Sequence, residues 1–282
     1  MKWFCIAFSC LFFTACSVSA TLDLPGTEVV TEGGRVNGVG NDQQVVRWLD
    51  IPYAQPPVGD LRWRAPKSLI ASDIRVIAHA EPVLCPQQAS QTAGLEGDDM
   101  VGQEDCLYLD IVAPSDYATT RYPVMFWIHG GANTSGHKGT YDFSALAETE
   151  KVVVVTINYR LGALGWFTHP ALQAAAVGLD DSGNFGTLDI IAALAWTQRN
   201  IAAFGGDADN VTIFGESAGG RNVYSMLVSP LSEGLFHKAI AQSPTVQSFT
   251  PRQAFNAEKE FQHLDRGAWE VVTSLGEDNS TI

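Results

Sequence analysis

The sequence predicts an α/β fold on a mostly parallel sheet, and three observations carry that prediction. Two apolar, β-branched runs, "PVMFWIH" (Pro123 to His129) and "VVVVTINY" (Val152 to Tyr159), have the continuous hydrophobicity of strands buried on both faces. Helical segments follow each run: "YDFSALAETE", then "TLDIIAALAWTQRNIAAF", in which Leu188, Ile191 and Ala195 share one stripe. "NVTIFG" then returns to strand, so strand and helix alternate as parallel crossovers require.

Taken from the N-terminus, residues 1–20 read as an export signal. Lys2 supplies a minimal positive start, "WFCIAFSCLFF" is an apolar run too short to span a bilayer comfortably, and "VSA" (Val18 to Ala20) offers a small-residue cleavage site. "FTAC", ending at Cys16, also resembles a lipobox, with Phe13 where that motif favours leucine, so cleavage at Ala20 and lipidation at Cys16 both stand. Either route predicts a secreted or cell-envelope protein. Cys5, Cys10 and Cys16 belong to this segment, which leaves Cys85 and Cys106 as an even pair in an oxidising compartment. That pair reads as a disulfide, because a metal site or a catalytic thiol needs partners that the neighbouring sequence does not supply.

Composition bounds the rest. A chain of 282 residues with 46% hydrophobic content can bury a sizeable core. A formal net charge of -14 repels phosphate backbones and anionic lipid, which argues against a nucleic-acid partner and leaves membrane contact only to a lipid on Cys16.

The chemistry concentrates at "GESAG" (Gly215 to Gly219). A lone G-x-S-x-G is weak, but here it stands between the strand "VTIF" and the helical "AGGRNVYSMLV", the setting of a nucleophile elbow with Ser217 exposed at the turn. Gly215 and Gly219 give the turn room, and the helix N-terminus behind Ser217 favours negative charge in front of it. "HGGANTSG" follows the strand "VMFWI" and offers closely approachable backbone amides. The amides of Gly131, Ala132 and Ala218 are therefore expected to form an oxyanion hole for the charge that develops in ester hydrolysis.

These segments, with "EDCLYLDIVAP" (Glu104 to Pro114), "IPYAQPPVGDLRWRAP", "NYRLGALGW" and "SPLSEGLFHKAIAQS", resemble the type B carboxylesterase and cholinesterase-like family of α/β-hydrolases over about residues 30 to 245. The resemblance implies an α/β-hydrolase fold whose C-terminal part is missing, residues 21–282 forming the N-terminal part of one catalytic domain. It implies a cofactor-free serine esterase acting on a small-molecule ester, a Cys85 to Cys106 disulfide, and buried ion pairs of Arg62 with Glu104 and of Arg160 with Asp105. The loop "PQQASQTAGLEGDDMVGQED" has no aromatic residue where the cholinergic members hold choline, so a quaternary-ammonium substrate is not expected there. Asn133 replaces an aromatic residue and Arg221 a small one, and both are expected to reshape the acyl pocket or its polarity. Asn133, Asn210 and Asn279 also open sequons.

The family's acid and histidine lie far downstream of the serine, and this sequence holds neither position. Only His237 and His263 follow Ser217; His237 reads as scaffold, and His263 with Glu258 or Glu260 has the spacing of one helix rather than two loops. His129 reads as a structural histidine. The rival expectation is an inert truncated or adhesion-type member, although such relatives typically lose the serine that stands here.

Overall fold

The computed structural model describes residues 24–40, 44–73, 75–79, 82–174, 176–246, 248–261 and 267–276. The segment expected to be an export signal, with Cys16 and Ala20, as well as His263 and the sequon at Asn279, lie outside these residues.

Short strands β1 (Val29–Thr31) and β2 (Gly34–Val36) form a hairpin, and β3 (Val39–Gly40) and β4 (Val45–Pro52) open the main sheet. β5 (Arg75–Val76) adds in parallel to β2, while β6 (Gln87–Gln88) and β7 (Met100–Val101) pair inside the loop closed by the Cys85–Cys106 disulfide, S–S 2.11 Å. Then come β8 (Tyr108–Pro114), β9 (Tyr122–Ile128), α1 (Ser144–Glu150), β10 (Val153–Ile157), α2 (Gly162–Gly165), α3 (Pro170–Ala174), α4 (Phe185–Asn200), β11 (Gly206–Glu216), α5 (Ala218–Val228), β12 (Lys238–Gln242), α6 (Pro251–Phe255) and α7 (Ala268–Ser274).

Among the described residues the main sheet has seven strands in the order β12-β11-β9-β10-β8-β4-β3. The four from β12 to β10 pair in parallel, as the strand and helix alternation predicts, whereas β10-β8, β8-β4 and β4-β3 pair antiparallel. The sheet is therefore mixed. Its antiparallel end comes from strands that precede the first crossover helix and need none.

Alternation along β9 shows why both faces are buried. Val124, Phe126 and Ile128 join the large core beneath α4 and α5, while Met125 and Trp127 face the smaller cluster with Phe143, Ala147 and Phe214 beneath α1. α4 is buried around more of its circumference than a single stripe of Leu188, Ile191 and Ala195 predicts. Ile190, Ala193, Leu194, Trp196 and Thr197 are fully buried, and Ile191 and Ala195 only partly.

Both expected ion pairs need correction. Arg62 and Glu104 do pair, with N–O distances of 2.5 and 2.6 Å, but their side chains are 42% and 25% exposed rather than buried. Arg160 pairs with Asp189 of α4, through Nη2 to Oδ1 at 2.7 Å and Nε to Oδ2 at 2.8 Å. Asp105 instead accepts from the Tyr108 hydroxyl at 3.0 Å. The chain leaving β10 turns Arg160 toward α4, where Asp189 has no water to solvate it, so the two buried charges satisfy each other.

The polar tail folds as α6 and α7 and packs Phe255, Ala268 and Val272 on Phe167. β12 is an edge strand whose residues are largely exposed, Ile240 included.

Candidate active site

The site follows from the register of two neighbouring parallel strands. β9 and β11 pair with Ile128 opposite Gly215, so the turns leaving their carboxyl ends, His129–Gly136 and Glu216–Ser217, meet at one end of the sheet. Carboxyl ends of parallel strands are where open α/β sheets form binding crevices.

Ser217 sits between β11 and α5 with φ 56° and ψ -117°, a strained backbone for a residue other than glycine, costing roughly 1–3 kcal/mol. Its N–H donates to the Gln242 carbonyl of β12 at 2.9 Å and its carbonyl accepts from Arg221 at 3.0 Å, which fix the turn on both sides. Neighbouring glycines make that geometry attainable. A Cβ on Gly219 would lie 2.0 Å from the Ile128 carbonyl oxygen, and one on Gly215 would lie 2.6 Å from the Gly219 carbonyl carbon. These contacts are to backbone, so no rotamer relieves them. Gly219→Ala is expected to cost about 3 kcal/mol through overpacking and to displace the turn. Urea denaturation measures it, and a midpoint equal to the parent's would contradict this.

The glycine-rich turn approaches from the other side. Gly131, Ala132 and Asn133 all have positive φ, at 94°, 56° and 61°, so three successive residues occupy the left-handed region. A Cβ on Gly130 would stand 2.8 Å from the Glu216 carbonyl oxygen and 3.5 Å from Ser217 Cβ, which measures how closely the two turns pass. Gly131, Ala132 and Ser217 line one open cleft of about 990 Å³. Its other walls come from the disulfide loop (Pro86 to Ser90, Met100) and from Leu161 to Leu164. Ala218 is buried as the first residue of α5, where a helix leaves N–H groups without intrahelical acceptors. Such an arrangement can hold a hydroxyl against a carbonyl carbon and present N–H donors to the carbonyl oxygen.

Sequence reasoning missed the residues that brace the turn. Buried Gln87 pairs with both backbone groups of Gly136, accepting from its N–H at 2.8 Å and donating to its carbonyl at 3.0 Å. Tyr159 donates to the His129 carbonyl at 2.6 Å, and Asn222 of α5 donates to Asn133 Oδ1 at 2.9 Å. Each of these bonds joins segments far apart in sequence, so no local pattern marks them. The side chains of Asn133 and Arg221 are engaged by neighbouring residues. Neither is among the described residues lining the cleft: Asn133 turns inward onto Asn222, and Arg221 turns onto Thr245. The sequon amide of Asn133 is thereby engaged within the fold.

Among the described residues no histidine lines the cleft and no partner holds the Ser217 hydroxyl. His237 Nδ1 accepts from the Val211 N–H, a scaffold role. His129 is buried and stacked on Tyr159 at 4.3 Å, and its Nδ1–H donates to the Gly130 carbonyl at 2.8 Å. Burial outweighs that bond and pushes the imidazole down to about 4. Its unfolded value is near 6.5, so the unfolded chain binds the extra proton first, and stability is full above about pH 6.5 and lost as pH falls toward 4. His137, also pushed down by burial, acts in the same direction. Thermal midpoints are expected to fall steadily across this window, by on the order of 3 kcal/mol of stability from His129 alone. A profile flat between pH 6.5 and 4 would contradict the burial of its neutral form.

The comparisons with known proteins converge on one family. The model of the Carboxylesterase family matches residues 25–268. The para-nitrobenzyl esterase of Bacillus subtilis is 42% identical over 236 residues, covering 83% of this chain and 47% of that protein. The fumonisin B1 esterase of Sphingopyxis macrogoltabida is 45% identical over 238 residues, covering 82% and 42%. A solved thermophilic pNB esterase superposes with a TM-score of 0.76 at 37% identity, over 90% of this chain and 50% of that one. The chain thus spans about half the length of the relatives it matches.

Proposed function

Because this chain belongs to the carboxylesterase family and has the α/β-hydrolase fold, we propose that it carries the nucleophile half of a serine carboxylesterase. One observation supports this above the rest: Ser217, in a strained turn after β11, shares its cleft with the left-handed turn at Gly131 and Ala132. In the proposed reaction Ser217 Oγ bonds to the ester carbonyl carbon while its proton passes to a general base. The carbonyl π pair moves to oxygen, which takes donors from the N–H groups of Gly131, Ala132 and Ala218. Collapse breaks the bond to the alcohol, which leaves with the proton from the base, and water then hydrolyses the acyl-enzyme. No cofactor enters the scheme. The base and its orienting acid are assigned to polypeptide outside the described residues, since no described histidine reaches the cleft.

The cleft's lack of a described base favours a second reading, an inert or binding member of the same family. Hydrolysis of p-nitrophenyl butyrate by the purified chain beside Ser217→Ala, together with fluorophosphonate labelling, separates the two. Serine-dependent hydrolysis supports the esterase; neither labelling nor hydrolysis supports the inert member. Export, by cleavage at Ala20 or by lipidation at Cys16, belongs to the same proposal, and intact mass of the mature protein distinguishes the routes.

A further inference from the structure

The oxyanion turn is braced at three points, and one of them joins it to the nucleophile's own helix. Asn133 is the last of the three left-handed residues, and its side chain does not face the cleft. Its Oδ1 accepts from Asn222 Nδ2 at 2.9 Å, and its Nδ2 donates to Asn222 Oδ1 at 3.4 Å. Its backbone carbonyl accepts from the Gly162 N–H at 2.7 Å. Asn222 is 2% exposed and lies five residues after Ser217, one turn into α5. Its amide is therefore desolvated, and its bonds to Asn133 join the oxyanion turn to α5, the helix that starts at the residue after Ser217.

We propose that Asn222 is a positioning residue: through its reciprocal amide pair with Asn133 it sets the spacing between the Gly131 and Ala132 amides and Ser217 with Ala218. The inference rests on the esterase reading and adds to it the device that registers the two halves of the oxyanion hole. A left-handed turn of three residues is unfavourable by itself, and asparagine is among the few residues that tolerate that conformation. Strain of this kind persists only where surrounding contacts over-determine it. The Gly162 bond ties Asn133 to the loop after β10, and the Tyr159 bond ties His129 at the start of the turn to the same loop, whereas the Asn222 bond ties Asn133 to the element that carries the nucleophile. Removing the amide leaves the turn formed but free to drift relative to Ser217, and misplacement by about 1 Å is enough to cost roughly 10²-fold in reactions that depend on alignment.

The test uses butylboronic acid, which needs the serine and the oxyanion donors but no substrate turnover. Ser217 Oγ donates its lone pair to the trigonal boron, the hydroxyl proton leaves to solvent, and a boron-bound oxygen of the tetrahedral adduct occupies the oxyanion position. Affinity is read by calorimetry and the adduct by its tetrahedral ¹¹B signal, on the full chain, Asn133→Ala, Asn222→Ala and the double variant, well below each thermal midpoint. Each single variant is expected to bind at least tenfold more weakly, and the double variant no more weakly than either single one, because both break the same pair. A merely structural role would lower the thermal midpoints and leave the affinity of the folded protein unchanged. Equal affinity in Asn222→Ala and the parent overturns the positioning role alone. A parent that binds no better than Ser217→Ala overturns the esterase reading and this proposal with it.

Discussion

Ser217→Ala is expected to abolish fluorophosphonate labelling and to lower p-nitrophenyl butyrate hydrolysis more than any other substitution in the chain. Three features make the effect specific to this serine. Its strained turn places it in the cleft, Gly131 and Ala132 line the same cleft, and α5 begins at the next residue. The alanine variant keeps all three, so it retains what the proposed oxyanion donors and the cleft walls contribute and loses only the covalent route. In hydrolases where an imidazole reaches the hydroxyl, removing the nucleophile costs about 10⁶-fold in kcat, or roughly 8 kcal/mol at 1.36 kcal/mol per decade. Without that base the serine is a weak nucleophile near neutral pH, and the ratio of parent to variant shrinks toward the contribution of position alone. The ratio itself is therefore the informative quantity. Several decades mean that a base reaches Ser217 from a residue outside those described, and less than tenfold means that none does. Equal labelling of parent and variant would remove Ser217 from the chemistry altogether.

The elements around this serine were legible because local signals and the fold agree there. "VTIF" and "AGGRNVYSMLV" become the end of β11 and the whole of α5, and β10 is buried on both faces as its unbroken apolar run requires. The disulfide was legible for a different reason, since only two cysteines follow residue 20. Reading failed where partners lie far apart in sequence. The amide of Asn133 meets Asn222, 89 positions away. The antiparallel end of the sheet is hidden in the sequence because "EDCLYLDIVAP", most of which is β8, mixes charged and apolar residues and carries no signal of strand direction. Arg160 was given the wrong carboxylate. A signal for the right one was present in "TLDIIAALAW", where a single aspartate sits in an apolar helix and must find a cation once buried.

That aspartate carries the second large expectation, for stability rather than chemistry. Asp189 and Arg160 are 0% and 3% exposed, and beside their two-point contact the carboxylate accepts the Arg160 backbone N–H at 3.0 Å. Burying such a pair gains little over burying two apolar side chains, but removing one partner leaves the other charge without water or counter-ion. Asp189→Ala is therefore expected to lower unfolding free energy by about 3–5 kcal/mol, a large part of the 5–15 kcal/mol typical of a domain. The loss should not stay local. Arg160 leads directly into Leu161–Leu164, which wall the cleft, and a Cβ on Gly165 or Gly186 would lie 2.2 or 2.7 Å from the Arg160 carbonyl oxygen, so this loop is packed with no slack. A guanidinium that swings out for solvent takes that wall with it, together with the Gly162 N–H that anchors Asn133. Urea denaturation of the parent, Asp189→Ala, and the paired replacement Arg160→Met with Asp189→Leu gives the decisive comparison. The single variant should fall furthest and the pair should recover most of the loss, because the cost lies in the orphaned charge. A single variant within 1 kcal/mol of the parent, a typical surface-pair effect, would mean that Arg160 reaches water or another carboxylate in solution and that Asp189 is not its essential partner.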